Sequence, residues 1–120
     1  MNTRKTAIEG ENAACEYLKK QGYEIVERNY SCPIGEIDVI ARDRDGVVVF
    51  VEVKTRNGTE YGLPEDSVGY AKRRKIILTA QYWAGAHGRE CKKGFRFDVI
   101  SVLRGEPRHT VNAFDAYGRS

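Results

Sequence analysis

The chain of 120 residues is long enough for one compact domain and too short for two ordinary ones. Its composition, 41% hydrophobic and 31% charged, is typical of a folded globular protein and excludes a disordered chain. A formal net charge of +3 is mildly basic, which permits a polyanionic partner without requiring one.

The cysteines and the N-terminal sequence bear on the cellular compartment. The three cysteines are widely spaced and form no Cys-x-x-Cys pair, which argues against a disulfide framework or a zinc ribbon. The N-terminus leads into a charged segment that lacks the apolar core of a signal peptide. No apolar run approaches the roughly 20 residues that span a membrane. We therefore expect a cytoplasmic protein that does not bind membranes.

The N-terminal third is predicted to form a helix and then a strand. A helix is expected over residues 4–21, because Thr6 and Glu9 can form a capping box and Gly22 is a stop signal. The strand over 23–30 is interrupted by charges, which is typical of a sheet edge.

A β-hairpin is predicted in the middle of the chain. Strands over residues 36–41 and 47–56 flank a turn that ends in Asp45 and Gly46. The Gly-rich segment over 57–64 is expected to be an exposed, mobile loop.

A second helix is predicted over residues 65–86, with Tyr82 and Trp83 in the core. His87 and His109 lie in or beside polar turns and are expected at the surface. The first half of this helix carries four consecutive cations, a run that is typical of either a solvated face or a binding surface.

The C-terminal part is predicted to return to the sheet. A strand is expected over 95–102, a turn over 105–107 and a short last strand over 110–114, and the tail after about residue 115 is expected to fray. The element order is thus α-β-β-β-α-β-(β), in a single domain over residues 1–120.

Charged residues lie on a hairpin face that should be apolar. Because side chains alternate along strands, pairing would bring Asp38 near Glu52, with Lys54 on the same face. Two carboxylates at about 4 Å repel by roughly 4 kcal/mol at an effective dielectric constant near 20. Either one carboxyl is protonated, or both turn to water, or a cation lies between them.

A divalent cation would suit this oxygen-only group of side chains. Glu11 lies on the inward stripe of the first helix with Ile8 and could add a third negative charge. Mg²⁺ or Mn²⁺ is the expected ion. With the ammonium of Lys54 nearby, the arrangement indicates metal-assisted hydrolysis of a phosphodiester. The alternative is that Glu52 and Lys54 form an exposed ion pair of little energetic weight, with Glu11 in water.

Two runs in this hairpin carry a family signature: GEIDVIA over Gly35–Ala41 and VFVEVKTR over Val49–Arg56. In both, the chain resembles the YraN family of small bacterial proteins. Further matches, which extend the resemblance over nearly the whole chain, are Gly10-Glu11-x-x-Ala14, Val68-x-x-x-Lys72, Phe95–Val99 and Asn112–Phe114. That family is grouped with the PD-(D/E)xK nucleases, close to Holliday-junction resolvases. The resemblance implies a restriction-endonuclease-like three-layer α/β fold, with a central mixed β-sheet flanked by helices.

The resemblance also implies roles for individual residues of a metal-dependent endonuclease acting on structured or branched DNA. Its four catalytic positions are filled by Glu11, Asp38, Glu52 and Lys54. Asp38, Glu52 and the main-chain carbonyl of Val53 would hold Mg²⁺ or Mn²⁺, with Glu11 assisting directly or through water. One departure is Ile37, which stands before Asp38 where the superfamily's name has proline.

Basic residues near the predicted site are candidate contacts to phosphates. Helical spacing places Val68, Lys72 and Lys75 on one side of the second helix, so Lys72 is expected to face the site. Contacts of this kind give affinity without sequence information. The other cations in this group are Arg56, Arg73, Arg74, Lys92, Lys93 and Arg96.

Two questions about function stay open at this level. The chain could cut DNA, or it could be a non-catalytic nucleic-acid-binding module of a recombination or DNA-processing assembly. Cutting both strands of a junction requires two sites, and a homodimer is one way to supply them.

Overall fold

The computed structural model describes residues 3–56 and 68–119. The loop predicted over 57–64, and the predicted helix start at residue 65, lie outside these residues. The elements in chain order are α1 (Thr3–Lys20), β1 (Glu24–Ser31), β2 (Glu36–Arg42), β3 (Val48–Arg56), α2 (Tyr70–Ala86), a 3₁₀ turn (Gly88–Cys91), β4 (Phe95–Leu103) and β5 (Glu106–Phe114).

The five strands form one mixed sheet in the order β1-β2-β3-β4-β5. Strands β3 and β4 pair in parallel, and the three other pairs are antiparallel. The charged strand β1 lies at an edge, as its sequence predicts. The observed element order and the mixed sheet with a helix packed on each face confirm the predicted fold class.

Strand β3 contributes to both hydrophobic cores because its side chains alternate between the two faces of the sheet. Val49 and Val51 pack with Leu18 on the α1 face. Phe50 packs with Trp83 on the α2 face. The next residues of β3 that follow Phe50 on the α2 face are charged, and they lead directly into the candidate site.

Helix α2 differs from its prediction in its start and in one core residue. It begins at Tyr70, because Gly69 has an extended backbone with φ −73° and ψ 168°. Trp83 is fully buried, as predicted, and its indole N–H donates to Glu27. The prediction that Tyr82 lies in the core is wrong, since this residue is 55% exposed. Its position falls outside the inward stripe of Ile76, Ile77, Ala80 and Trp83.

The last strand is longer than predicted because the preceding turn is tighter. Arg104 and Gly105 both have positive φ, 52° and 82°, and they form a two-residue hairpin loop with Leu103 opposite Glu106. The strand therefore starts at residue 106, inside the turn predicted over 105–107. The expected fraying after residue 115 concerns motion and stays a prediction.

A buried polar network joins β4 and β5 to α1. Asp98 is 1% exposed and accepts hydrogen bonds from Arg96, from His109 Nε2 at 2.7 Å and from the backbone N–H of Asn112 at 2.9 Å. His109 Nδ1 lies 3.1 Å from the hydroxyl of Tyr17. The prediction that His109 is a surface residue is therefore wrong, because its ring is enclosed between these partners.

Arg96 belongs to the same network. Its guanidinium bonds Asp98, the hydroxyl of Tyr23 and, at 2.8 Å, Asp43 in the β2–β3 turn. The expectation that Arg96 contacts phosphates is wrong for this reason. Burial alone would raise the pKa of Asp98, but the bonds from His109 and Arg96 hold it below its ordinary value.

Gly10 brings α1 against β3. A Cβ atom at this position would lie 2.0 Å from Thr55 Oγ1 and 3.0 Å from Thr55 Cβ. We expect Gly10→Ala to lower the free energy of unfolding by about 1–3 kcal/mol, as overpacking does. Gly85→Ala is the control, since a Cβ there meets no described heavy atom within 4 Å. It should stabilise α2 by up to about 1 kcal/mol. Urea denaturation measures both, and equal effects would contradict the close approach.

Candidate active site

The candidate site lies where β2 and β3 stop pairing. Their ladder runs from Arg42 opposite Val48 to Val39 opposite Val51. Asp38 and Glu52 are the next residue on each strand beyond this last pair. Asp38 Oδ2 accepts the backbone N–H of Val53 at 2.8 Å. The two strands diverge beyond this last pair, and we call this point the β2–β3 fork. The hydrogen bond to Val53 holds the carboxylate of Asp38 at the fork.

Glu52 is buried, and one of its carboxylate oxygens forms ion pairs with two lysines. It is 5% exposed. Its Oε2 lies 3.3 Å from Nζ of Lys54, two residues along the same face of β3, and 3.7 Å from Nζ of Lys72 on α2. Helix α2 therefore presents Lys72 to the site, as helical spacing predicts. The alternative of an exposed strand-face pair is wrong, because the carboxylate of this pair is buried.

Asp38 is electrostatically strained beside Glu52. Burial raises the pKa of Asp38 to about 8, and the negative charge of Glu52 adds to the rise. The N–H of Val53 opposes this shift without cancelling it. Two adjacent carboxyl groups that are shielded from water in this way favour either a bound proton or a bound cation.

Glu11 approaches the pair from α1. Its side chain is 14% exposed, and Oε1 lies 3.8 Å from the guanidinium of Arg28. Its negative charge also raises the pKa of Asp38, but by less than burial and Glu52 do. The alternative that Glu11 escapes to water is therefore wrong. Ile8, predicted on the same inward stripe, is 47% exposed, because burial along α1 begins at Gly10.

Arg28 is a site neighbour that sequence reasoning missed. It pairs opposite Val39, next to Asp38, and donates to Asn12 at 2.8 Å while lying near Glu11. Strand register supplies this proximity, and a bulge between Ile25 and Glu27 shifts that register. A simple count of alternation along β1 would not have placed Arg28 there.

The donor set fits a hard divalent cation that keeps water ligands. Asp38, Glu52 and the main-chain carbonyl of Val53 offer oxygen only. Over residues 3–56 and 68–119, no three His, Cys, Asp or Glu side chains converge closely enough to hold a metal ion. Mg²⁺ suits two carboxylates because it retains several waters, whereas a closed structural zinc site requires four protein ligands. Glu11 would then reach the cation through water.

The predicted phosphate contacts occupy different positions on α2 and β3. Lys72 contacts Glu52, and Arg56 is the last residue of β3. The guanidinium of Arg73 lies 6.0 Å from the ring centroid of Tyr70. Lys75 is exposed on the next turn of α2.

Fold and site define a mixed α/β protein with a pair of carboxyl groups, Asp38 half-buried and Glu52 buried, and with two lysines beside Glu52. A model of the uncharacterised protein family UPF0102 matches residues 10–102. A UPF0102 protein of Lachnoclostridium phytofermentans is 44% identical over 118 residues, covering 98% of this chain and 99% of the relative. One from Persephonella marina is 48% identical over 108 residues, covering 89% and 90%. The chain belongs to UPF0102, the YraN family that its motifs resemble.

Solved structures also align with this chain. The structure of an EndoMS–dsDNA2 complex covers 79% of this chain and 35% of its own, with 16% identity and a TM-score of 0.41. The crystal structure of a repair endonuclease from Pyrococcus abyssi covers 86% and 40%, with 14% identity and a TM-score of 0.40. This chain thus spans well under half the length of either.

No helix in the described part of the chain is both long enough and apolar enough to cross a membrane. The three cysteines are all free thiols.

Proposed function

We propose that this protein is a metal-dependent endonuclease that hydrolyses phosphodiester bonds in structured or branched DNA. The observation that carries the proposal is the pairing of half-buried Asp38 with buried Glu52 at the β2–β3 fork, where the ammonium of Lys54 lies 3.3 Å from Glu52. Two like charges in a site of low exposure lower stability, and such an arrangement is typical of a functional site.

Each residue at the fork has a defined task in this proposal. Asp38, Glu52 and the carbonyl of Val53 hold Mg²⁺ or Mn²⁺, and Glu11 acts on the same ion through water. A divalent cation supplies polarisation of a phosphoryl oxygen and activation of water. Lys54 orients the attacking water or stabilises the negative charge that develops on the phosphate.

The surrounding cations bind the DNA backbone in this proposal. Lys72 and Arg73 on α2, with Lys75 on the next turn and Arg56 at the end of β3, contact phosphates. One chain carries one such site, so a single encounter should nick one strand. The free cysteines suit the reducing cytoplasm, where this chemistry would take place.

The test is cleavage of DNA by purified protein with Mn²⁺, with Mg²⁺ and with a chelator. Supercoiled plasmid, a four-way junction, a flap and a hairpin are the substrates, and we expect nicks that require the metal. Intact DNA in every metal condition would reject the catalytic proposal. Salt-dependent binding to the same DNA without cleavage would instead assign the non-catalytic binding module.

Lys54→Gln separates catalysis from metal binding. The substitution keeps most of the side-chain length and removes the charge near Glu52. We expect cleavage to fall roughly 10²–10³-fold, as when one group that stabilises transition-state charge is lost, while calorimetric Mn²⁺ binding persists. The control is Lys20→Gln at the exposed C-terminal end of α1. Wild-type cleavage by Lys54→Gln would remove this lysine from the mechanism.

A further inference from the structure

Two exposed tyrosines lie on neighbouring segments, one on α2 and one in the C-terminal turn. Tyr70, the first residue of α2, is 59% exposed and Tyr117 is 67% exposed. Gly118 closes the gap between the two segments, since a Cβ there would lie 3.3 Å from Cε1 of Tyr70. The two rings, with Arg73 and Arg119, are called the tyrosine platform below.

The C-terminal half of the platform is a hydrogen-bonded turn. Asp115 Oδ1 accepts the backbone N–H groups of Tyr117 and Arg119, each at 2.9 Å. These bonds hold the pKa of Asp115 below its ordinary value. The backbone N–H of Asp115 donates to the carbonyl of Arg119 at 2.8 Å, which closes the turn. This turn holds Tyr117 next to α2.

An arginine accompanies each ring. The guanidinium carbon of Arg73 lies 6.0 Å from the ring centroid of Tyr70, and that of Arg119 lies 5.1 Å from the centroid of Tyr117. Arg73 Nε is buried and has no hydrogen-bond partner among the described residues. The first turn of α2 contains no acidic residue. The platform therefore combines aromatic faces with two guanidinium groups, and its one carboxylate, that of Asp115, is bonded by the backbone N–H groups of its own turn.

Unpaired nucleotides are the ligand with matching chemistry. Bases stack on exposed aromatic rings, and arginines bind the phosphates between them. In a duplex the base faces are covered by neighbouring bases, so only a single strand or an opened end can offer them. Exposed aromatic rings are also used at protein interfaces, but the cations on both rings favour a polyanion.

The platform lies within reach of the candidate active site. Tyr70 and Lys72 are two residues apart on α2, and 100° per residue places them on opposite flanks of the helix. Lys72 contacts Glu52 on its flank. A helix is about 10 Å across, a distance that at most about three nucleotides span, since the rise is about 3.4 Å per nucleotide even in a stacked duplex strand.

We propose that Tyr70 and Tyr117 stack unpaired bases, and so direct the site to the single-stranded part of a branched or opened DNA. This proposal rests on the nuclease function proposed above, because it names the part of the substrate that the same site would recognise. It assigns a role in specificity to two residues that lie outside the metal site.

The test is DNA binding measured by fluorescence anisotropy in EDTA. The probes are a thymidine 20-mer and a blunt duplex of equal length. We expect Tyr70→Ala and Tyr117→Ala each to weaken single-strand binding about tenfold, within the range for the loss of one stacked base. Duplex binding should change less than twofold. Tyr70→Phe keeps the aromatic face and should retain wild-type binding.

Tyr82→Ala is the matched control, because Tyr82 is 55% exposed on the same helix, away from the platform. Equal losses for single strand and duplex, or equal effects of Tyr70→Ala and Tyr82→Ala, would overturn the platform. So would a wild-type protein that does not bind the single strand, or a dimer in sedimentation that Tyr117→Ala dissociates. Circular dichroism checks that each variant folds.

The measurement in EDTA keeps this proposal separate from the nuclease. A selective loss of single-strand binding without any metal-dependent cleavage would reject the nuclease and keep the platform. Metal-dependent cleavage without a selective loss of single-strand binding in the tyrosine variants would keep the nuclease and reject the platform.

Discussion

Asp38→Asn should abolish binding of Mn²⁺ and cleavage of DNA while leaving the fold intact. The amide oxygen can still accept the N–H of Val53, which Asp38 Oδ2 bonds at 2.8 Å. A neutral amide cannot supply the negative charge that a hard divalent cation requires. We expect calorimetry to show at least 100-fold weaker Mn²⁺ binding, and nicking to fall by the same factor or more.

The same substitution should raise stability when no metal is present. Burial and the charge of Glu52 both disfavour ionised Asp38, and its pKa rises to about 8. With this pKa, Asp38 is ionised in the unfolded chain at pH 7 and must take up a proton on folding, a cost that Asn does not have. The free energy of unfolding at pH 7 should therefore increase by on the order of 1–3 kcal/mol. Asp45→Asn, in the exposed turn at the other end of the hairpin, should change neither property.

Two outcomes would contradict this interpretation of the carboxylate pair. If Asp38→Asn binds Mn²⁺ as tightly as the wild type, the cation does not lie at the fork. If the substitution is strongly destabilising in EDTA, Asp38 is a structural residue whose hydrogen bond to Val53 matters more than its charge.

The side chains at the fork were accessible to sequence reasoning because two simple periodicities place them. Alternation along paired strands brings Asp38 beside Glu52 and puts Lys54 on the same face. Helical spacing turns Lys72 toward them. Arg28 was not accessible, because its proximity depends on a register that a bulge in β1 shifts. The close approach of Gly10 to Thr55 likewise depends on how α1 lies on the sheet.

The element order was also accessible, whereas its boundaries depended on local backbone geometry. Each strand carried a β-rich run bounded by turn residues, and both helices carried an apolar stripe. The extent of β5 was missed because Arg104 adopts positive φ, which few residues other than glycine do. Tyr82 was wrongly predicted to lie in the core because tyrosine is amphipathic and is compatible with either face of a helix.

The network around Asp98 was missed because its members come from five separate segments. Tyr17, Tyr23, Asp43, Arg96 and His109 each look like a surface residue in local sequence. Only the pairing of β4 with β3 and β5 brings them together. Alternation would have put an unpaired acid in the α1-face core, which is itself a signal that partners exist.

Asp98→Asn should be the most destabilising conservative substitution in the chain. It removes the charge that both Arg96 and His109 bond while leaving their side chains, 19% and 5% exposed, largely shielded from water. Breaking a buried pair on one side costs about 3–5 kcal/mol. We expect the free energy of unfolding at pH 7 to fall by on the order of 3 kcal/mol, which corresponds to a decrease in Tm of roughly 10 °C. Glu106→Gln, at the exposed start of β5, is the control.

The pH dependence of that loss identifies its cause. Because the pKa of Asp98 in the folded protein lies below its unfolded value of about 3.9, its carboxylate stabilises the fold fully above that pH. The contribution is lost as pH falls through the folded pKa, so the difference between wild type and Asp98→Asn should be largest near pH 7 and shrink below about pH 4. Urea denaturation across this range measures it. A difference that stays constant down to pH 3 would mean that Asp98 acts through shape and not through charge.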